Sequence, residues 1–430
     1  MDRQGLRRDR PGRRTAGIGL LLAALVLASC APGEEAAPEV PTEEAEGEAA
    51  EQDDPAYDPI EITWPTGLPE DIWIMGGLRG FEEALAETSD GLITLDVHMG
   101  DALGPLTDHG PLLRDGIADI TWVMSPLELG QYPADQWIAA LAWMFENRPL
   151  VGDLQAYAST LEWGFTDPLQ EQMLEQGMVP LVPSTSGLAN YTHLCNDPAG
   201  SLDQARGQEA RVTSEIHGNE AEAVGMTPTF IEAAETYEAL QRGVIDCVLM
   251  HPRDLAGFNL LDIAEHVHMD PDAAFSGHMA VGLYANQDWW DGLPLAAQQD
   301  IWDALRGYVH EQMRLSLEMD IDFFEDVAER GQLHELSDDF IAALTEHQEG
   351  ELDRLRSNPP EGWSEDEANA ALDGFLDGVE RWLAVGEELG YADAPETWEE
   401  YVETYPVDEI DLEPWVDRVW EELFAPHRPS

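Results

Sequence analysis

The sequence predicts an α/β protein of two similar lobes with mixed, mainly parallel sheets, crossed by one long helix and followed by an appended helical C-terminal segment. Three observations carry this prediction. About 300 residues from Ile60 onward alternate short apolar runs with amphipathic stretches, the pattern of strands connected by helices. Two segments echo each other, LRDGIADITWVMS at Leu113 to Ser125 and LQRGVIDCVLMHP at Leu240 to Pro252. Each reads as a helix end, a glycine suited to the left-handed position after a helix, a short link ending in Asp, and a near-continuous apolar strand. Beyond Gln287, apolar residues recur at three and four spacing through WWDGLPLAAQQDIWDALRGYVHEQMRLSLEMDIDFFEDVAERG, enough for a helix that crosses both lobes.

Ahead of the lobes, six arginines fall before Thr15 and precede the apolar run GIGLLLAALVLA. A membrane-crossing helix needs roughly 20 apolar residues, so this run reads as the core of an export signal spanning residues 1–29. The Arg13-Arg14 pair leaves the export route open between general secretion and a twin-arginine path. LASC, Leu27 to Cys30, resembles the site at which bacterial lipoproteins are cleaved and acylated, so Cys30 is the expected lipidated N-terminus and a lipid the expected membrane attachment. Residues 30–59 are rich in Glu, Ala, Pro and Gly with few large apolar side chains. They cannot bury a core and are expected to form an acidic tether.

The chain has 21 basic residues, all arginine, against 87 acidic ones. After loss of residues 1–29 there remain 15 basic and 85 acidic residues, a formal charge of −70. Such a surface repels nucleic acid and anionic lipid. Because the charge is spread along the whole domain and lysine is absent, it is read as adaptation to high salt, where a Debye length near 3 Å suppresses self-repulsion. Cys195 and Cys247 are the other two cysteines. An oxidising compartment permits a bond between them, and the sequence leaves open whether it forms.

In open α/β sheets, ligands bind outside the carboxyl ends of the strands. Here those ends are expected near Trp64 to Thr66, His98 to Asp101, Met124 and Ser125, Arg211 to Ser214, and Met250 and His251. Trp64 and Trp122 lie on strands near the presumed cleft and are candidates to stack on a ligand. The expected division is residues 60–188 with about 279–318 as one lobe, 189–278 with about 319–356 as the other, and 357–430 as an acidic helical extension. That extension is expected to pack on the body or on a second copy, which leaves a homodimer open.

No GxSxG elbow, P-loop, GxGxxG junction or HExxH is present, no nucleophile–base set can be assembled, and no cofactor is implied. The protein is not expected to be an enzyme. HVHMD, His266 to Asp270, would put two histidines on one face of a strand, but no further ligand sits at metal-site spacing, so it reads as a polar strand face or loop. Carboxylates are too common for any one to stand out. Arg211, in GQEARV, is informative because basic residues are rare; the residues alone leave it divided between a salt bridge and a ligand contact.

Five segments together, FEEALAETSDGLITLDVHMGDALGP, LLRDGIADITWVMS, LDQARGQEARV, ETYEALQRGVIDC and LYANQDWWDGLPLAAQQDIWDAL, resemble the substrate-binding proteins of tripartite ATP-independent periplasmic (TRAP) transporters, the DctP-like family. The resemblance covers roughly Ile60 to Arg330. It implies a periplasmic-binding-protein-like fold whose lobes close over a small organic acid, an extracytoplasmic location, and a small and a large membrane permease subunit as partners. It also implies that Arg211 clamps the ligand carboxylate, a task suited to a planar, always charged guanidinium. The sequence departs from the family pattern in three places. Tyr191 stands where many members carry a second arginine, Met250 or His251 stands where many carry an asparagine, and Met124 holds a strand end that is often polar. These departures point to a monocarboxylate with an apolar body. Competing readings are a sensory module reporting ligand occupancy to a receptor and the binding component of an ATP-driven importer.

Overall fold

The computed structural model describes residues 56–68, 70, 72–125, 131–185, 191–232, 235–270, 273–277, 281–391, 400 and 410–430, all within the compact unit Pro55–Ser430. Cys30, the export signal and nearly all of the tether lie outside the described residues. Tyr57, placed in the tether by sequence, is already buried, and its hydroxyl donates to Asp300.

The strands, in chain order, are β1 (Ile60–Pro65), β2 (Ile93–His98), β3 (Ile120–Met124), β4 (Met178–Thr185), β5 (Thr192–Cys195), β6 (Glu209–Val212), β7 (Thr227–Phe230), β8 (Cys247–Met250), β9 (His266–His268), β10 (Val281–Asn286) and β11 (Leu333–His334). β1 and β2 pair in parallel, and β10 runs antiparallel between β3 and β4. β5 to β9 join β11 in a mixed six-stranded sheet of order β11-β9-β5-β8-β6-β7. The chain thus leaves the first group of strands after β4, builds most of the second sheet, returns with β10, and crosses again through the helix Leu295–Arg330 to deliver β11.

The sequence echo is a repeated construction. Gly116 and Gly243 both adopt positive φ, +68° and +67°, just past short helices. The next Asp in each copy then clips its strand to a neighbour. Asp119 accepts from the Thr63 backbone N–H at 2.8 Å while its own N–H donates to Thr63 O; Asp246 accepts from the Glu209 N–H at 3.0 Å while its N–H donates to Glu209 O. The same local chemistry sets the register of a buried strand in both lobes.

The long helix ties the cores together. Ile301, Trp302 and Tyr308 pack with Trp64, Phe81 and Trp122, whereas Phe323, Phe324 and Val327 pack with Leu194, Val248 and Leu255. Its crossing with helix Met75–Thr88 is so close that a Cβ at Gly80 would fall 2.2 Å from Gly307 O, and one at Gly307 2.5 Å from Gly80 O, so both positions require glycine. Cys195 and Cys247 face each other in the β5–β8 ladder and are joined by a disulfide.

The C-terminal extension packs on the body of its own chain. Helix Glu365–Glu388, opened by a Ser364/Glu367 capping box, lies on helix Val151–Gly164. Farther on, Trp415 meets Tyr157 edge-on, Trp302 Nε1 donates to Phe424 O, and Arg306 pairs with Glu413 and Asp417.

Candidate functional site

β6 carries Arg211, its backbone held between Thr229 of β7 and Val248 of β8. The side chain is 3% exposed, and Nε donates to Ile231 O at 3.0 Å. Among the described residues no carboxylate comes within ion-pair range of this guanidinium, although Asp254 and Glu232 act on it electrostatically. Burial lowers its pKa from the ordinary arginine value, with Tyr191, Asp254 and Glu232 pulling the other way. Arg253, the other buried arginine among the described residues, is the contrast: Nε reaches Asp320 Oδ1 at 3.0 Å and Nη2 reaches Asp153 Oδ1 at 3.1 Å.

Tyr191 and Asp254 act on Arg211 electrostatically, and His217 and His251 join the group through Tyr191 and Trp73 through Asp254. Tyr191, ahead of β5, stacks on His217 at 4.4 Å and meets His251 edge-on at 4.2 Å; its hydroxyl bonds Thr213, and burial raises its pKa well above the ordinary phenol value. His217 is fixed by its Nε2 donating to Ser276 O at 2.7 Å and by Thr213 Oγ1 at 2.8 Å from Nδ1. His251 is the first residue past β8, at the N-cap of helix Pro252–Gly257. Asp254, 5% exposed, has its pKa lifted by burial to about 6, opposed by Arg253, Arg211 and a hydrogen bond from Trp73. Trp73 belongs to the segment between β1 and helix Met75–Thr88, so it brings the first lobe against a residue of the second. The Arg253 guanidinium also lies over its ring at 5.7 Å.

Of the eight side chains proposed from sequence, Arg211, Tyr191 and His251 come together. The structure places the others apart from this group. Trp64 and Trp122, both 0% exposed, are first-lobe core. They share strand faces with Ile62 and Ile120, meet each other at 5.2 Å, and Trp122 Nε1 donates to Tyr308 at 2.9 Å. Met124 lies on the Trp122 face of β3 and joins that core. Ser125 spends its hydroxyl on Asp135. Met250 shares the Val248 face of β8 and packs with Leu194 and Leu255, leaving His251 to turn toward Tyr191. Thr213 falls within the Arg211 to Ser214 strand end read from sequence, whereas Trp73, Asp254 and His217 escaped the sequence reading. The only cue to any of them is position just after a strand end, the cue used for His251.

Within HVHMD, His266–His268 form strand β9; His268 stacks on His193 of β5, His266 pairs with Cys195, and both histidines meet the ring of His334 on β11. His193, Cys195 and His268 approach one another as metal ligands do. Cys195, however, is consumed in the disulfide. His268 Nε2 accepts from the Ala199 N–H at 3.1 Å, so its proton sits on Nδ1 and neither ring nitrogen offers a lone pair. A cavity of about 940 Å³ runs beside these histidines and touches the Arg211 group through Tyr191 and Arg253.

Residues 66–357, two thirds of the chain, match the family model described as bacterial extracellular solute-binding protein, family 7, DctP. A solute-binding protein of Sulfitobacter sp. (strain NAS-14.1) is 27% identical over 169 residues; the match spans 39% of this chain and about half, 49%, of that relative. A TRAP solute-binding protein from a marine metagenome, specific for pyroglutamate and solved with it, superposes with a TM-score of 0.61 at 15% identity, covering 75% of this chain and all of that one. The Sulfitobacter sp. NAS-14.1 TRAP protein solved with β-D-galacturonate gives 0.59 at 18% identity, covering 74% and 99%. No helix among the described residues is long and apolar enough to cross a membrane. The two-lobed α/β fold and the match over most of it converge: this chain belongs to the DctP family of bacterial extracellular solute-binding proteins, family 7.

Proposed function

We propose that this protein captures a small monocarboxylate on Arg211 and delivers it to the small and large membrane subunits of a TRAP permease. A lipid on Cys30 would hold it to the cell membrane. The observation that carries the reading is the buried, fork-shaped cation of Arg211 with no carboxylate in ion-pair range among the described residues, in a chain with 87 acidic side chains. Asp254 beside it disfavours a second carboxylate on the ligand, and the rings of Tyr191, His217 and His251 suit a body with apolar or aromatic faces. That the metagenome and Sulfitobacter proteins were solved with pyroglutamate and galacturonate, each with one carboxylate, agrees with this class. A contact available only when the lobes close makes closure depend on ligand.

The test is a thermal-shift and calorimetric screen of carboxylic acids at molar salt. Arg211→Ala is expected to weaken the best acid roughly tenfold to a hundredfold, the effect of losing a charge-assisted hydrogen-bonding partner. Undiminished binding by the variant would reject the clamp. We further propose that the acidic surface adapts the protein to high salt, so the unfolding midpoint should climb steadily from low to molar NaCl; a flat or falling curve contradicts this.

A further inference from the structure

Asp254 carries a demand that the carboxylate reading leaves unmet. Its Oδ1 is fully enclosed and has no hydrogen-bond partner among the described residues, while the Trp73 indole serves the same carboxyl group from the first lobe. A buried carboxylate oxygen without a donor costs about 1–3 kcal/mol or more, and native structures supply one. The group sits on the first turn of helix Pro252–Gly257, whose N-cap His251 meets the Tyr191 ring at 4.2 Å, and it acts electrostatically on both Arg211 and Tyr191. A ligand held by Arg211 therefore lies where the second lobe offers an unused acceptor and the first lobe closes on it.

We propose that Asp254 Oδ1 receives a hydrogen-bond donor from the ligand. The preferred substrate is then a carboxylic acid that also bears a hydroxyl or N–H group, bound between one arginine and one aspartate. This rests on the carboxylate reading above and narrows it. A purely hydrocarbon acid would bury Asp254 Oδ1 against carbon, and a dicarboxylate would set a second negative charge against it.

The experiment is isothermal titration of the full mature chain at molar NaCl with two matched pairs, lactate against propionate and pyroglutamate against its N-methyl derivative. Wild type is expected to bind the donor-bearing member of a pair at least ~10-fold more tightly. Asp254→Leu should bring that ratio to about one. Asp254→Asn, which keeps an acceptor oxygen and the side-chain shape, should lower the ratio without erasing it, and decides the matter should the leucine variant not fold. Equal binding of both members by wild type, or an unchanged ratio in the Asp254 variants, would overturn the proposal. Arg211→Ala separates this from the clamp: it should weaken both members alike and leave their ratio intact. If Arg211→Ala changes nothing while Asp254→Leu removes the ratio, the donor subsite stands and the clamp falls. If no acid binds wild type, both fall.

Discussion

Replacing Arg253 by methionine is expected to destabilise the protein by about 3–5 kcal/mol, read from urea unfolding at constant high salt. Arg253 is 1% exposed and neutralises two aspartates that are equally buried, Asp153 and Asp320. Methionine fills similar space but abandons both carboxylates in a medium that penalises their charge. Burial already raises the Asp320 pKa even with the arginine present. The loss should therefore be greater at pH 8 than at pH 5, where the stranded acids can take up protons. Adding Asp153→Asn and Asp320→Asn to the methionine variant should recover most of the stability, because the damage comes from uncompensated charge and not from lost packing. A loss below 1 kcal/mol, or no recovery in the triple variant, would contradict this account. The cluster also bears on closure. Asp153 comes from helix Val151–Gly164, Arg253 from the helix after β8 and Asp320 from the long helix, so it pins a second-lobe element to two others at the point where Trp73 also arrives.

Strand ends were legible in the sequence because glycine, aspartate and a change of hydrophobic period mark them. β1, β2, β3, β6 and β8 finish at Pro65, His98, Met124, Val212 and Met250, within a residue or two of where pattern alone put them. The facing of side chains was not legible. β3 and β8 are buried on both sides, so their near-continuous apolar runs carry no alternation to say which residues turn to the cleft. Pattern alone therefore does not say that Trp122 turns to Tyr308 of the long helix, or that Met250 packs with Leu255 while His251 turns toward Tyr191. Arg211 stands out in the sequence because arginine is scarce in this chain, and Asp254 does not because aspartate is common; only its burial separates it from the solvated acids. The Cys195–Cys247 bond needed the antiparallel β5–β8 register, a pairing across 52 residues that spacing does not encode.

His193→Phe is expected to remove about 3 kcal/mol of acid sensitivity from the folded state. His193 is buried between Phe275 and Phe340, stacks on His268, and donates from Nε2 to Ala199 O at 3.3 Å. Burial lowers its pKa from 6.5 to about 4, with only the Ala199 hydrogen bond opposing. Between those two values the unfolded chain binds a proton that the folded chain refuses, so this residue's contribution to stability is complete above pH 6.5 and is lost as pH falls toward 4. Phenylalanine has similar volume, suits the aromatic surroundings and does not titrate. It leaves Ala199 O without its donor, but at every pH alike, a constant offset. Buried Glu220 and Asp254, whose raised pKa values favour the folded state as pH falls, and the many surface carboxylates are common to both proteins and cancel in the comparison. The stability of variant minus wild type should therefore rise steadily from pH 7.5 to pH 4.5. Part of that rise belongs to His268, whose own protonation His193 disfavours. A difference that stays level across this range would show that His193 is already solvated enough to accept its proton in the folded protein.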